Sequence, residues 1–208
     1  MPIIPSGVPK TAVDAVQAAL KARVGRESTG PSRLSNADPK YVSVSFPHQT
    51  AYLSLSKIEP RASLRDSAQL GNWRFLVEER QSLNTMGLGP AVDVPIASVT
   101  VAPAVTGTFR LIELNEGPFV KGTTEAIRRA EALHQVQNGR FEAVLLVVPA
   151  VYVVGLWLQS TIGGDDIILA IPPSDSALGA YKPMTTGAFM DILAGLAAAV
   201  RRIDIGAL

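Results

Sequence analysis

The sequence predicts an α+β fold built on a mainly antiparallel sheet. Residues 143–158 (AVLLVVPAVYVVGLWL) carry no charged side chain, and a second apolar run, IILAI, follows at residues 167–171. Runs that are rich in Val and interrupted by Pro149 and Gly155 are typical of buried strands, because β-branched side chains favour extended backbone. Strand-like segments also follow one another with few helices between them, which favours antiparallel pairing over repeated βαβ units.

The N-terminal part predicts a helix followed by a β-hairpin. Apolar residues recur at helical spacing between Thr11, a candidate N-cap, and Gly25, a suitable C-terminal stop. Residues 41–46 and 50–58 alternate apolar and polar side chains, and residues 47–49 separate them. This pattern predicts two strands joined by a turn at residues 47–49.

A domain boundary is expected near residue 90. A strand predicted at residues 72–79 is followed by residues 81–95, where Gly and Pro collect without hydrophobic periodicity. Such a segment is typical of a linker. We therefore predict an N-terminal lobe of helix and hairpin at residues 1–90 and an α+β core domain at residues 91–208. The alternative is one domain that contains both.

The C-terminal half predicts five strands and two helices. The strands are expected at residues 96–101, 106–114, 143–148, 152–160 and 166–171. One helix is predicted from Gly122-Thr123 to Asn138, and the last helix, over residues 187–202, begins after Thr185 or Thr186. Each helix carries an apolar stripe, so we expect both to cover the sheet.

Composition narrows the function classes. Nineteen basic and eighteen acidic residues give a net charge of +1, so no global field attracts nucleic acid or an anionic membrane. The chain has no cysteine, which excludes disulfides, thiolate nucleophiles and cysteine-ligated metals and fits a reducing compartment. The first residues lack the pattern of a secretory signal. We therefore expect a cytoplasmic protein with no cofactor, no nucleic-acid partner and no membrane association.

One turn carries the residues most suggestive of chemistry. Gly163-Gly164-Asp165-Asp166 lies between two predicted strands and resembles the Gly-Asp-Asp turn of viral RNA-dependent polymerases, where carboxylates bind Mg²⁺. The resemblance ends at the turn, because those polymerases need a further pair of aspartates five residues apart and this chain has none. Gly and Asp are also ordinary turn residues. We expect Asp165 and Asp166 to form the turn and not to bind metal.

The chain has two histidines, and each is a candidate for proton transfer. His48 falls in the predicted hairpin turn, where we expect it to be solvated. His134 falls at the border of a helix's apolar face, where a hydrogen-bonded imidazole is the usual arrangement. His48 and Glu113 are candidates to act together with the acidic turn, and a two-histidine metal site would need His48 and His134 to converge.

The last helix predicts self-association. Its main apolar stripe is sufficient to bind the helix to its own sheet, but the opposite side carries only small residues between Asp191 and Arg201. A solvent-facing helix normally carries charged or long polar side chains there. We therefore predict a dimer contact at Gly195, Ala198 and Ala199; the alternative is that another loop of the same chain covers this side.

Two function classes follow from these observations. The first is a non-catalytic protein that acts through protein–protein binding or self-association, because ordinary catalytic motifs are nearly absent. The second is a metal-dependent or hydrolytic enzyme that uses Asp165 and Asp166, with His48 as a further catalytic candidate. Convergence of these groups in a concave pocket would favour the enzyme.

Overall fold

The computed structural model describes residues 3–4, 7–26, 30–82, 90–105 and 107–206, which form nine strands and six α-helices. The strands are β1 (Ile3–Ile4), β2 (Val42–Tyr52), β3 (Gln69–Ser82), β4 (Ala91–Pro103), β5 (Phe109–Asn115), β6 (Phe141–Val148), β7 (Val153–Ser160), β8 (Ile167–Ile171) and β9 (Pro183–Thr185). The helices are α1 (Lys10–Lys21), α2 (Arg33–Asn36), α3 (Leu64–Ser67), α4 (Pro118–Glu131), α5 (His134–Gln137) and α6 (Thr186–Gly206).

The strands form one sheet in the order β5-β4-β3-β2-β6-β7-β8-β9, and β1 pairs with β6 off this path. From β3 to β5 each strand is antiparallel to the next, and the same holds from β6 to β9. β1 and β2 each run parallel to their neighbour β6. The predicted α+β class with a mainly antiparallel sheet is therefore confirmed.

The chain divides into two compact units that interleave along the sequence. The first unit comprises Met1–Ser6, His48–Gly71 and Glu125–Leu208, and the second comprises Gly7–Pro47 and Asn72–Thr124. Residue 90, the predicted boundary, falls within the second unit. Of the predicted linker at 81–95, residues 83–89 lie outside the described residues. On either side of them, residues 81–82 end β3, residues 91–95 begin β4, and the two strands pair from Trp73–Val101 to Ser82–Ala91.

The core of the first unit forms around β6, β7 and β8. All five residues of β8 are buried, and β7 is buried over Gly155–Leu158; both strands pair with a neighbour on each edge. Phe189, Met190 and Leu193 of α6 join Trp157 and strand residues in one cluster. α6 therefore packs on this part of the sheet, whereas the covering role predicted for the helix at 122–138 stays a prediction.

The core of the second unit lies between α1 and strands β3, β4 and β5. Ala12, Val16 and Leu20 form the buried side of α1, at the helical spacing that the sequence shows. They cluster with Trp73 and Phe75 of β3 and with apolar residues of β4. α1 begins one residue before the predicted cap Thr11, with Pro9 at the N-cap position.

The predicted hairpin over residues 41–58 is wrong. β2 runs without a turn from Val42 to Tyr52, through the Pro47-His48-Gln49 segment. Phe46 has a φ of 41°, so one residue takes the left-handed conformation and the strand continues beyond it. A local irregularity of this kind accommodates Pro47, whose missing N–H cannot serve a regular ladder.

The helix predicted at residues 122–138 is two helices. α4 begins at Pro118, which suits a first helical turn because the N–H that proline lacks has no partner there. It ends at Glu131, and α5 follows at His134–Gln137 with the extended residue Leu133 before it.

Candidate functional site

Asp166 is the most highly coordinated carboxylate of the acidic turn. Its side chain accepts hydrogen bonds on both oxygens while the residue is only 8% exposed. Oδ1 accepts from Nη2 of Arg65 at 2.6 Å and from the main-chain N–H of Ser160 at 2.9 Å. Oδ2 accepts from Nε of Arg65 at 2.8 Å and from Nε1 of Trp157 at 3.0 Å. Both oxygens therefore serve donors of the protein itself.

Local structure at the turn and at α3 positions these groups. Gly163 and Gly164 have φ values of +83° and +121°, which a residue with a Cβ rarely adopts. Their freedom lets the chain after β7 return so that Asp166 precedes β8. On the other side, Ser63 caps α3 by accepting from the main-chain N–H of Asp66, and Arg65 follows within that short helix.

Electrostatics at Asp166 favour the ionised carboxylate. Burial raises the pKa of Asp166, but hydrogen bonds from Arg65, the Ser160 amide and Trp157 outweigh burial, and the pKa lies below its usual value. The same hydrogen bond raises the pKa of Arg65. Arg65 is half-exposed and Asp166 is nearly covered, so the pair joins a buried anion to a cation at the surface. This arrangement anchors α3 to the end of β7.

Asp165, the adjacent acid, is exposed and lies on two open cavities of the first unit. One, of about 590 Å³, continues to Gln135 and Met184. The other, of about 620 Å³, continues to Arg61 and the first residues of α6. Over the described ranges, no group of three or more His, Asp or Glu side chains could hold a metal ion.

The histidines lie away from the acidic turn. His48 is within β2 and is 1% exposed, so its expected position in a solvated turn is wrong. β6 and β7 separate β2 from β8, which places His48 about 14 Å from the strand that Asp166 precedes, at ~4.8 Å per strand. His134 is exposed at the start of α5, and its Nε2 pairs with Nδ2 of Asn138 at 3.0 Å.

Glu113, the other acid considered with the turn, belongs to a polar row across β3, β4 and β5. Its Oε2 accepts from Oγ1 of Thr100 at 3.3 Å and lies 3.9 Å from Nη1 of the buried Arg74. Glu113 and Arg74 both belong to the second unit, so their pairing is internal to it.

The predicted contact residues lie on the outward side of α6. Gly195 and Ala199 are exposed, and Ala198 is half-buried. Thr185 caps the helix as expected, since its Oγ1 accepts from the main-chain N–H of Ala188 at 3.3 Å. A Cβ built on Gly195 would meet no atom within 4 Å. The described chain therefore places nothing against this point of the helix.

Sequence reasoning missed Arg65 as the partner of Asp166. The two residues are 101 positions apart, and no local pattern connects them. The available signal was an aspartate directly before a wholly apolar strand, since a charge in such a place needs a partner.

Comparison with known proteins found no matching family model, curated protein or solved structure. No helix in the described part of the chain is long and apolar enough to cross a membrane.

Proposed function

We propose that this protein is a non-catalytic homodimer that associates through the outward side of α6. The observation that carries the proposal is Gly195, an exposed glycine in the middle of a 21-residue helix, with open space where a side chain would be. Glycine inside a helix costs about 1 kcal/mol relative to alanine. Packing within the described chain does not require glycine at this position, and close approach of a second molecule would account for it.

The outward side of α6 carries a stripe that is small at its centre and charged at its ends. We call the exposed residues Ala188, Asp191, Gly195, Ala199 and Arg202, together with the half-buried Ala198, the α6 stripe. At about 100° per residue, Asp191, Gly195 and Arg202 lie within about 40° of one another around the helix. The stripe is opposite to the buried side formed by Phe189 and Leu193.

The α6 stripe is complementary to itself when two helices run antiparallel. A two-fold axis between Gly195 and Ala198 places those two residues opposite each other. It also places Asp191 opposite Arg202 of the second copy, and Arg202 opposite its Asp191. The two acid–base pairs would flank the small centre about 16 Å apart, from the helical rise of ~1.5 Å per residue. A self-complementary patch of this kind is what an isologous dimer requires.

The ends of the stripe are available for such pairing. Nη2 of Arg201 donates to the carbonyls of Leu55 and Ile58, at 2.6 and 3.2 Å, so Arg201 is held by its own chain. Arg202 is exposed, with no ion pair to the residues the structure describes. Asp191 accepts one main-chain hydrogen bond from Arg61 on Oδ1 at 3.3 Å and is otherwise exposed.

Light scattering on the purified chain tests the proposal. We expect a mass of about twice 22.0 kDa at micromolar concentrations. Ala199→Arg should give the monomer mass, because two arginines cannot fit into a contact of small residues. Ala18→Arg, the same change at an exposed alanine of α1, is the matched control and should leave the dimer intact. A wild-type monomer, or a dimer that survives Ala199→Arg, would overturn it.

The proposed dimer acts as a binding module and not as a catalyst. We place it in the cytoplasm, because a chain without cysteine suits a reducing compartment. The donors around Asp166 support the non-catalytic choice, because a carboxylate committed to four protein donors is poorly placed to serve as a base or a metal ligand.

A further inference from the structure

The second unit contains an open cavity of about 820 Å³ between α1 and the first half of β2. This volume lies in the range of small-molecule sites, about 300–1,000 Å³. Apolar side chains form most of the lining: Val13, Leu20, Val24, Pro39, Val42, Val44, Pro47 and Phe75. Val13, Val42 and Val44 are partly exposed, so the cavity leaves apolar surface open to a ligand.

Charge at the cavity has a single sign. Lys21 and Arg26 line it, and no acidic side chain does so among the residues with described positions. Lys21 lies in the last turn of α1, and Arg26 follows the turn that ends the helix. Gln17 and Ser43 add neutral hydrogen-bonding groups to the lining. Among the described residues, the cavity therefore combines an apolar interior with two cations.

The end of α1 is shaped to place these cations. Gly25 has a φ of +66°, and its main-chain N–H donates to the carbonyl of Leu34 at 3.0 Å. A Cβ at Gly25 would lie 3.2 Å from Cδ of Pro39, which also lines the cavity. The positive φ of Gly25 and its close approach to Pro39 both favour glycine directly before Arg26.

We propose that this cavity binds a small amphipathic carboxylate, with its apolar body against the valines and Phe75 and its acid group toward Lys21 and Arg26. A hydrocarbon chain would remove partly exposed apolar surface from water. The carboxylate would be attracted by the two cations, and its position at the rim would keep it partly hydrated. The ligand class follows from these two properties together, since a neutral apolar molecule would leave the cations unused.

Isothermal titration calorimetry with octanoate, and with octan-1-ol as its neutral analogue, tests the proposal on the full chain. We expect saturable binding of octanoate. Lys21→Gln combined with Arg26→Gln should weaken octanoate binding about fivefold or more, from the attraction of opposite charges at ~4 Å in water. The same double variant should leave octan-1-ol binding unchanged, because the alcohol carries no charge.

Two further variants keep the test specific. Arg23→Gln combined with Lys40→Gln removes two exposed cations that do not line the cavity, and octanoate binding should stay as in the wild type. Val42→Trp should fill the cavity and abolish binding of both ligands, with circular dichroism verifying the fold. The proposal is overturned by a wild type without saturable octanoate binding, by equal weakening in both double variants, or by binding that persists in folded Val42→Trp.

Discussion

Asp166→Ala should destabilise the first unit by about 3 kcal/mol. The change leaves Nε1 of Trp157 without its acceptor in a residue that is 1% exposed, and an unsatisfied buried donor costs about 1–3 kcal/mol. The partly buried amide of Ser160 adds about 1 kcal/mol. Arg65 contributes less than its short distances suggest, because its half-exposed side chain regains water.

Urea unfolding measures this loss. In a Trp73→Phe background, Trp157 is the remaining tryptophan, and its fluorescence reports on the first unit. With a urea dependence of about 1–3 kcal/mol per molar, the midpoint should fall by roughly 1–3 M. Asp165→Ala, at the exposed neighbouring acid, is the control and should change stability by less than about 0.5 kcal/mol. Equal effects of the two substitutions would refute the structural role assigned to Asp166.

The Asp166 carboxylate should also make the free energy of unfolding depend on pH. Because the pKa of Asp166 is lower in the folded protein than in the unfolded chain, the unfolded chain binds the proton more tightly. The resulting stabilisation is fully present above the ordinary aspartate pKa of about 3.9 and is lost as the pH falls through the lower folded value. Asp166→Asn should lack this acid-side loss, so wild type and variant should converge in midpoint as the pH falls below about 4.

Three other predictions follow from the described structure. Trp157→Asp should leave the protein insoluble, because it buries an unpaired charge, whereas Tyr152→Asp, at a residue 88% exposed, should be tolerated. The amounts of each variant in the soluble and insoluble fractions after expression test this. Calorimetric titration with Mg²⁺ or Mn²⁺ should give no saturable heat at millimolar concentrations, and a micromolar site lost in Asp165→Ala would contradict this. Gly25→Ala should lower the free energy of unfolding, measured by chemical denaturation, by more than about 1 kcal/mol, because the φ of +66° and the contact with Pro39 both oppose a side chain. An unchanged free energy of unfolding would count against the shape assigned to the end of α1.

The parts of the fold that local patterning determines could be predicted from the sequence. The strands expected at 143–148, 152–160 and 166–171 match β6, β7 and β8 within two residues, because their apolar runs are long enough to be buried on both faces. The last helix was also predictable, since its apolar stripe and its cap at Thr185 are adjacent in the sequence. Tyr152 is an exception, because the sequence predicts that it begins the strand at 152–160. It instead takes a left-handed conformation before β7 and is exposed to solvent.

The parts that depend on distant contacts could not be predicted. Pro47 predicts a turn from its local chemistry, yet β2 continues through it because Gln49–Tyr52 pair with β6, nearly one hundred residues later. The sequence of the acidic turn likewise suggests a catalytic or metal site, whereas the folded chain pairs Asp166 with Arg65. The cavity beside α1 collects Lys21, Arg26 and Phe75 from separate elements, and their arrangement depends on tertiary packing that sequence spacing does not reveal.

The most direct test of the proposed α6 contact is a charge exchange across its two-fold axis. Asp191→Arg alone and Arg202→Asp alone each place like charges opposite each other in an antiparallel pair, and both should give a mass near 22.0 kDa by light scattering. The double variant Asp191→Arg with Arg202→Asp restores both pairs and should return the mass to about 44 kDa, twice that of the chain. A double variant that stays monomeric while both single variants are folded, or single variants that remain dimeric, would contradict the account.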